Sequence, residues 1–140
     1  MMSDAEAEAG MTEKQAMERG LKFGWDNIFA SKGTDLGKIG QGLHALQDAY
    51  AHKGMKTSDH LGWNISSVWQ TGFIDMYSSR LQAFNITRSA IVVLDLIQGK
   101  DTNIKDGDRL NLTGMSNQQF LYIIKSLRKK GFEGTIHNSN

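Results

Sequence analysis

The sequence predicts an all-α protein, a single-domain bundle of four to five helices around a buried central helix at about residues 36–53. Three observations predict it. The 140-residue chain has fifteen glycines and no proline, which suits helices punctuated by glycine. Leu36, Ile39, Leu43, Leu46 and Tyr50 recur at 3, 4, 3, 4 spacing, the period of one helix face. Gly37, Gly40, Gly42, Ala45, Ala49 and Ala51 fill the circumference between them, and Lys38 is the only basic residue before Lys53. A helix with so little charge around it reads as buried on most sides.

The other elements follow in order. Residues 3–24 favour helix through Ala, Glu, Met and Lys, with Ser3 or Asp4 as cap and Gly10 loosening the first turns. Met17, Leu21, Trp25 and Ile28 make an inward stripe; Glu13, Lys14, Glu18 and Arg19 make a solvated face. Residues 31–35, with Gly33, form a turn, Thr34 or Asp35 caps the central helix, and Gly54 ends it. A polar loop over 55–62 carries His60, and Trp63, Ile65, Val68 and Trp69 suit a short helix or an aromatic lid. Leu81, Phe84, Ile91, Leu94 and Ile97 support a helix over about 78–98, although the run Ile91, Val92, Val93 also suits a strand. Residues 100–111 read as a loop or small hairpin. Ser116 and Gln119 have capping-box spacing and open a last helix through Lys130, lined by Phe120, Ile123, Ile124 and Leu127 and stopped by Gly131. Residues 1–10 and 132–140 read as loose ends.

Composition narrows the function. A formal net charge of +1 gives no global attraction to nucleic acid or an anionic membrane. With no cysteine, disulfides, thiolate zinc sites and thiol nucleophiles are excluded, so any metal is held by His, Asp, Glu or other oxygen donors. No apolar run reaches the roughly 18 residues of a membrane span, and the acidic, alanine-rich start is no secretory signal. The doubled Met1 and Met2 fit a domain excised from a longer chain.

The central helix carries the chemistry. His44, Asp48 and His52 stand at i, i+4 and i+8, within an arc of about 80° on the side away from the apolar stripe. His44 and Asp48 project side by side and can share one metal ion. In an unbroken helix the Cα atoms of His44 and His52 are about 12 Å apart, too far for one ion. Either Asp48 bridges two ions, one held by His44 and the other by His52, or the helix unwinds before His52. Imidazole with carboxylate suits zinc, manganese or iron. The competing reading is a buried His44–Asp48 hydrogen-bonded cluster with no metal. His60 and Asp75 are the nearest further ligand candidates. Asp26, Glu18 and Asp95 have weaker cases as inner-shell or base residues. Asp101, Asn103, Asp106 and Asp108 fail the EF-hand spacing and read as a solvated turn. Lys125, Arg128, Lys129 and Lys130 read as a solvated face, and His137 as a tail residue without a role.

The segment 43–54, LHALQDAYAHKG, resembles the Leu-His-x-Leu-Gln-Asp-x-x-x-His-x-Gly signature of C-terminal domains of RHS-repeat-associated and other bacterial polymorphic toxins. More distantly it is similar to the His-x-x-x-Asp helices of zinc-dependent phospholipase C and the P1-type nucleases. The toxin-like match is close over the motif and loose over about 35–97. It implies His44, Asp48 and His52 as metal ligands, with His60 and Asp75 completing the site. Those enzymes carry more than one His-x-x-x-Asp or His-x-x-x-Glu pair; this chain has one, so one or two ions, most readily zinc, are expected rather than three.

The expectation is therefore a metal-dependent hydrolase, a phosphodiesterase acting on lipid or nucleic acid. Asp48 would bridge, and Asp75 or Glu18 would accept the water proton. It would act as a toxin domain delivered within a larger secreted protein and be covered by a cognate immunity protein. The alternative is a non-enzymatic helical interaction module whose buried His/Asp cluster is structural.

Overall fold

Local hydrogen bonding sets the helix starts. The computed structural model describes residues 12–51, 73–105 and 107–138. In order they form α1 (Glu13–Ala30), α2 (Leu36–Ala51), α3 (Phe73–Ile97), β1 (Arg109–Asn111), α4 (Asn117–Lys129) and β2 (Thr135–His137). The protein is thus mostly helical. At α1 the Gln15 amide donates to Thr12 Oγ1 (3.1 Å) and the Thr12 amide to Gln15 Oε1 (3.0 Å), a reciprocal capping box. This helix starts at Glu13 and runs on to Ala30; the expected caps Ser3 and Asp4 lie outside the described residues. At α4 the expected box is present, with Ser116 and Gln119 bonded reciprocally at 3.0 and 3.2 Å. Between α1 and α2, buried Ser31 donates to the Ile28 carbonyl (2.6 Å) and accepts from the Gly33 amide (3.0 Å). Lys32 and Gly33 take positive φ, and Asp35 accepts from the Lys38 amide (3.1 Å), opening α2 at Leu36.

α1 and α2 cross at two buried glycines. A Cβ on Gly24 would stand 2.7 Å from Leu46 Cγ, and one on Gly42 would stand 2.8 Å from the Gly24 carbonyl oxygen. Only hydrogen atoms fit between the backbones there, so Leu46 and Ile28 close over the crossing. The inward face of α2 is therefore Gly42, Leu46, Ala49 and Tyr50, while Leu36 is 81% exposed. This corrects the reading of α2 as buried on most sides. Its glycines and alanines mark close packing on one face, and their scarcity of charge on the others marks nothing.

α3 places Ile86, Ala90, Val93 and Leu96 inward, with Leu81, Phe84 and Ile91 at the surface. They join Leu21, Trp25, Ile28, Leu46, Leu110, Leu112, Ile123 and Leu127 in one core. Two short strands depart from an all-α chain. β1 and β2 pair in parallel, Leu110 opposite Ile136, with α4 as the crossover between them. Phe132 is buried and Leu112 donates to the His137 carbonyl at 2.8 Å, so residues 132–138 are not a loose tail. Each strand is three residues long, too short for alternation to show in sequence. Among the described residues no helix is long and apolar enough to cross a membrane.

Candidate functional site

The rotation of α2 decides where its polar edge lies. With Leu46 inward, His44 and Asp48 fall on the opposite side. His44 Nε2 and Asp48 Oδ2 are 3.0 Å apart, with the side chains 69% and 16% exposed. The imidazole is therefore in solvent, and the expected buried His/Asp cluster is not what the structure contains. Gln47, between them in sequence, donates to Thr87 Oγ1 on α3 (3.2 Å) and fixes this edge beside α3.

Of the expected ligands, the structure brings together His44 and Asp48. His52 and His60 lie outside the described residues, as do Trp63 and Trp69. Asp75 lies in the first turn of α3, and its side chain is outside the description. Among the described residues no group of three or more His, Asp or Glu side chains is arranged to hold a metal. The pair itself fits a divalent ion in donor type, one imidazole nitrogen beside one carboxylate oxygen with an open solvent side. It supplies two positions, and a four-coordinate site with a water needs at least one more protein donor.

The weaker candidates are engaged elsewhere. Asp26 accepts from Lys22 Nζ (2.6 Å) and from Gln119 Nε2 (2.9 Å), tying α1 to α4. Asp95 is half-buried on α3. Asp108 accepts from the Lys105 amide (2.9 Å) and from Arg88 (2.8 Å), closing the loop before β1. Those two contacts, the Lys105 amide foremost, hold its carboxyl below the ordinary value against a partial loss of hydration. Glu18 stands 4.0 Å from Lys14 and lines a cleft at the end of α1.

That cleft, of about 500 Å³, was not legible in the sequence. α1, the end of α2, α3 and both strands enclose it. Its floor holds a buried polar hub. Asn111 donates through Nδ2 to Tyr50 Oη (3.0 Å), accepts at Oδ1 from the Thr113 amide (3.0 Å) and hydroxyl (2.6 Å), and gives its own amide to Ser89 Oγ (2.9 Å). Trp25 Nε1 donates to the Thr113 carbonyl at 2.8 Å. His137, read as an idle tail residue, lines this cleft from β2. The one signal for the hub was Asn111 two residues before Thr113, the spacing of an Asx turn.

No family model, curated protein or solved structure matches this chain. Two places on the protein bear on its function, the His44–Asp48 edge and the cleft behind Tyr50.

Proposed function

We propose that this protein is a divalent-metal-dependent phosphodiesterase, the toxin domain of a larger secreted chain, with His44 and Asp48 as two of its metal ligands. One observation carries the reading: an imidazole nitrogen and a carboxylate oxygen converge at 3.0 Å on an edge of α2 that solvent reaches. The likeness of residues 43–54 to the polymorphic-toxin signature supports phosphodiester chemistry and zinc, as one or two ions. In this reading His52, His60 and Asp75 complete the donor set, and Asp75 accepts the proton of the attacking water, while Glu18 lines the separate cleft and takes no part. A bound divalent ion supplies a water whose pKa falls to about 7 and a positive charge for the phosphoryl oxygens. Asp48, the less exposed of the pair, sets a carboxylate oxygen beside the His44 imidazole, the placement that a shared metal ion requires. The exposed edge also offers an immunity protein a surface that covers the ligands directly.

Metal content by mass spectrometry tests this, on the full chain purified without affinity-tag metals or chelators, beside Asp48→Ala. One or two equivalents of zinc or manganese, lost in the variant with helicity unchanged, are expected, together with hydrolysis of bis(p-nitrophenyl) phosphate. A metal-free chain that also fails to bind added zinc, manganese or iron would sink the proposal.

A further inference from the structure

We propose that the cleft between α1, α3 and the strand pair is a second binding site, separate from the α2 edge, that takes the oxyanion of a small organic phosphate or carboxylate. Three observations carry it. Arg109, on the first strand, lines the cleft, and its guanidinium has no hydrogen bond or ion pair among the described residues. Tyr50, 6% exposed, lines the same cleft; its oxygen accepts from Asn111, and its hydroxyl hydrogen has no acceptor among the described residues. A hydroxyl on a cleft wall whose hydrogen has no acceptor among the described residues can donate to a ligand oxygen. The amides of Gln82 and Asn85 on α3 add further unengaged donors.

The wall is thus rich in donors, with two cations, Lys14 and Arg109, against one carboxylate, Glu18. Guanidinium with a hydroxyl beside it suits a planar or tetrahedral oxyanion. Met17, Leu21 and Leu110 give the cleft an apolar side for the body of the molecule, and about 500 Å³ is a small-molecule volume. Tyr50 faces the core side of α2 while His44 faces solvent, so the cleft and the metal-binding edge are different places.

The test is titration of the ¹⁵N-labelled full chain with inorganic phosphate, phenyl phosphate and benzoate, following amide shifts. The variants are Arg109→Gln, Tyr50→Phe and Asp48→Ala. Saturable shifts at the cleft residues are expected, weakened about tenfold or more in Arg109→Gln and in Tyr50→Phe and unchanged in Asp48→Ala. Binding of the phosphates without benzoate assigns a phosphate ester; benzoate alone assigns a carboxylate. Arg109 is exposed, so its variant reads the site even where Tyr50→Phe disturbs the hub. No saturable binding of any probe overturns the proposal. So does binding that Asp48→Ala abolishes and Arg109→Gln leaves intact, which would place the anion on the α2 edge.

Discussion

The side-chain amide of Asn111 donates to the hydroxyl of Tyr50 at 3.0 Å, fastening the first strand to the last turn of α2 across 61 residues of chain. The same side chain accepts twice from Thr113. One asparagine therefore orders the turn after β1, the end of α2 and one wall of the cleft.

Asn111→Ala is expected to destabilise the protein by about 2–4 kcal/mol, because it strands a buried Thr113 amide and hydroxyl as well as Tyr50. Tyr50→Phe removes one bond of the set and is expected to cost about 1–2 kcal/mol. Urea denaturation with unchanged m-values checks both. Equal costs would mean that Thr113 finds other partners.

The glycine crossing gives a prediction of opposite signs along one helix. Gly40→Ala on α2 points into open space and is expected to stabilise by about 0.5–1 kcal/mol, the helix-propensity gain. Gly42→Ala, two residues on, drives its methyl to 2.8 Å from a backbone carbonyl that cannot rotate away. It is expected to lose about 1–3 kcal/mol despite the same gain. Thermal melts of the two variants decide it, and two stabilised proteins would refute the close crossing.

These two cases show what sequence carried and what it did not. Capping boxes and apolar periods are local, so α4's start at Ser116 and Gln119 and the mostly helical character were readable. Which face of α2 turns inward was not, because glycine leaves no apolar mark: Gly42 packs against α1 while Leu36, in the apolar stripe, is exposed. The strand pair was hidden for a related reason. Leu110 finds Ile136 only after α4 has folded between them, and three-residue strands carry no period. At the site, the i, i+4 spacing correctly set His44 beside Asp48, yet the same sequence suggested burial where there is solvent.

Acid titration reports on the loop before β1. The folded Asp108 carboxyl lies below its ordinary value of 3.8 through the Lys105 amide and Arg88. A lowered folded value means that its stabilising effect is complete above the unfolded value and is lost as pH falls through the folded one. Carboxyl NMR is expected to give Asp108 a midpoint below 3.8, and Arg88→Met is expected to raise it. A midpoint at or above 3.8 would contradict the hydrogen bonds.

The His44–Asp48 pair separates a ligand role from a structural one through stability. Because His44 is largely in solvent, the pair itself contributes little, as exposed i, i+4 pairs do. In EDTA, His44→Ala is therefore expected to unfold within about 0.5 kcal/mol of the wild type, with Asp48→Ala, at the less exposed partner, compared against its own EDTA baseline. On the proposed metal reading, zinc added at a hundredfold excess over Kd would bind the folded state through these donors and stabilise it by about 2.7 kcal/mol. The wild-type melting temperature is thus expected to rise with zinc while both variants stay where EDTA left them. A large loss in EDTA for His44→Ala would instead make the pair part of the framework. Unfolding of the wild type by EDTA alone would assign the metal to folding rather than to catalysis.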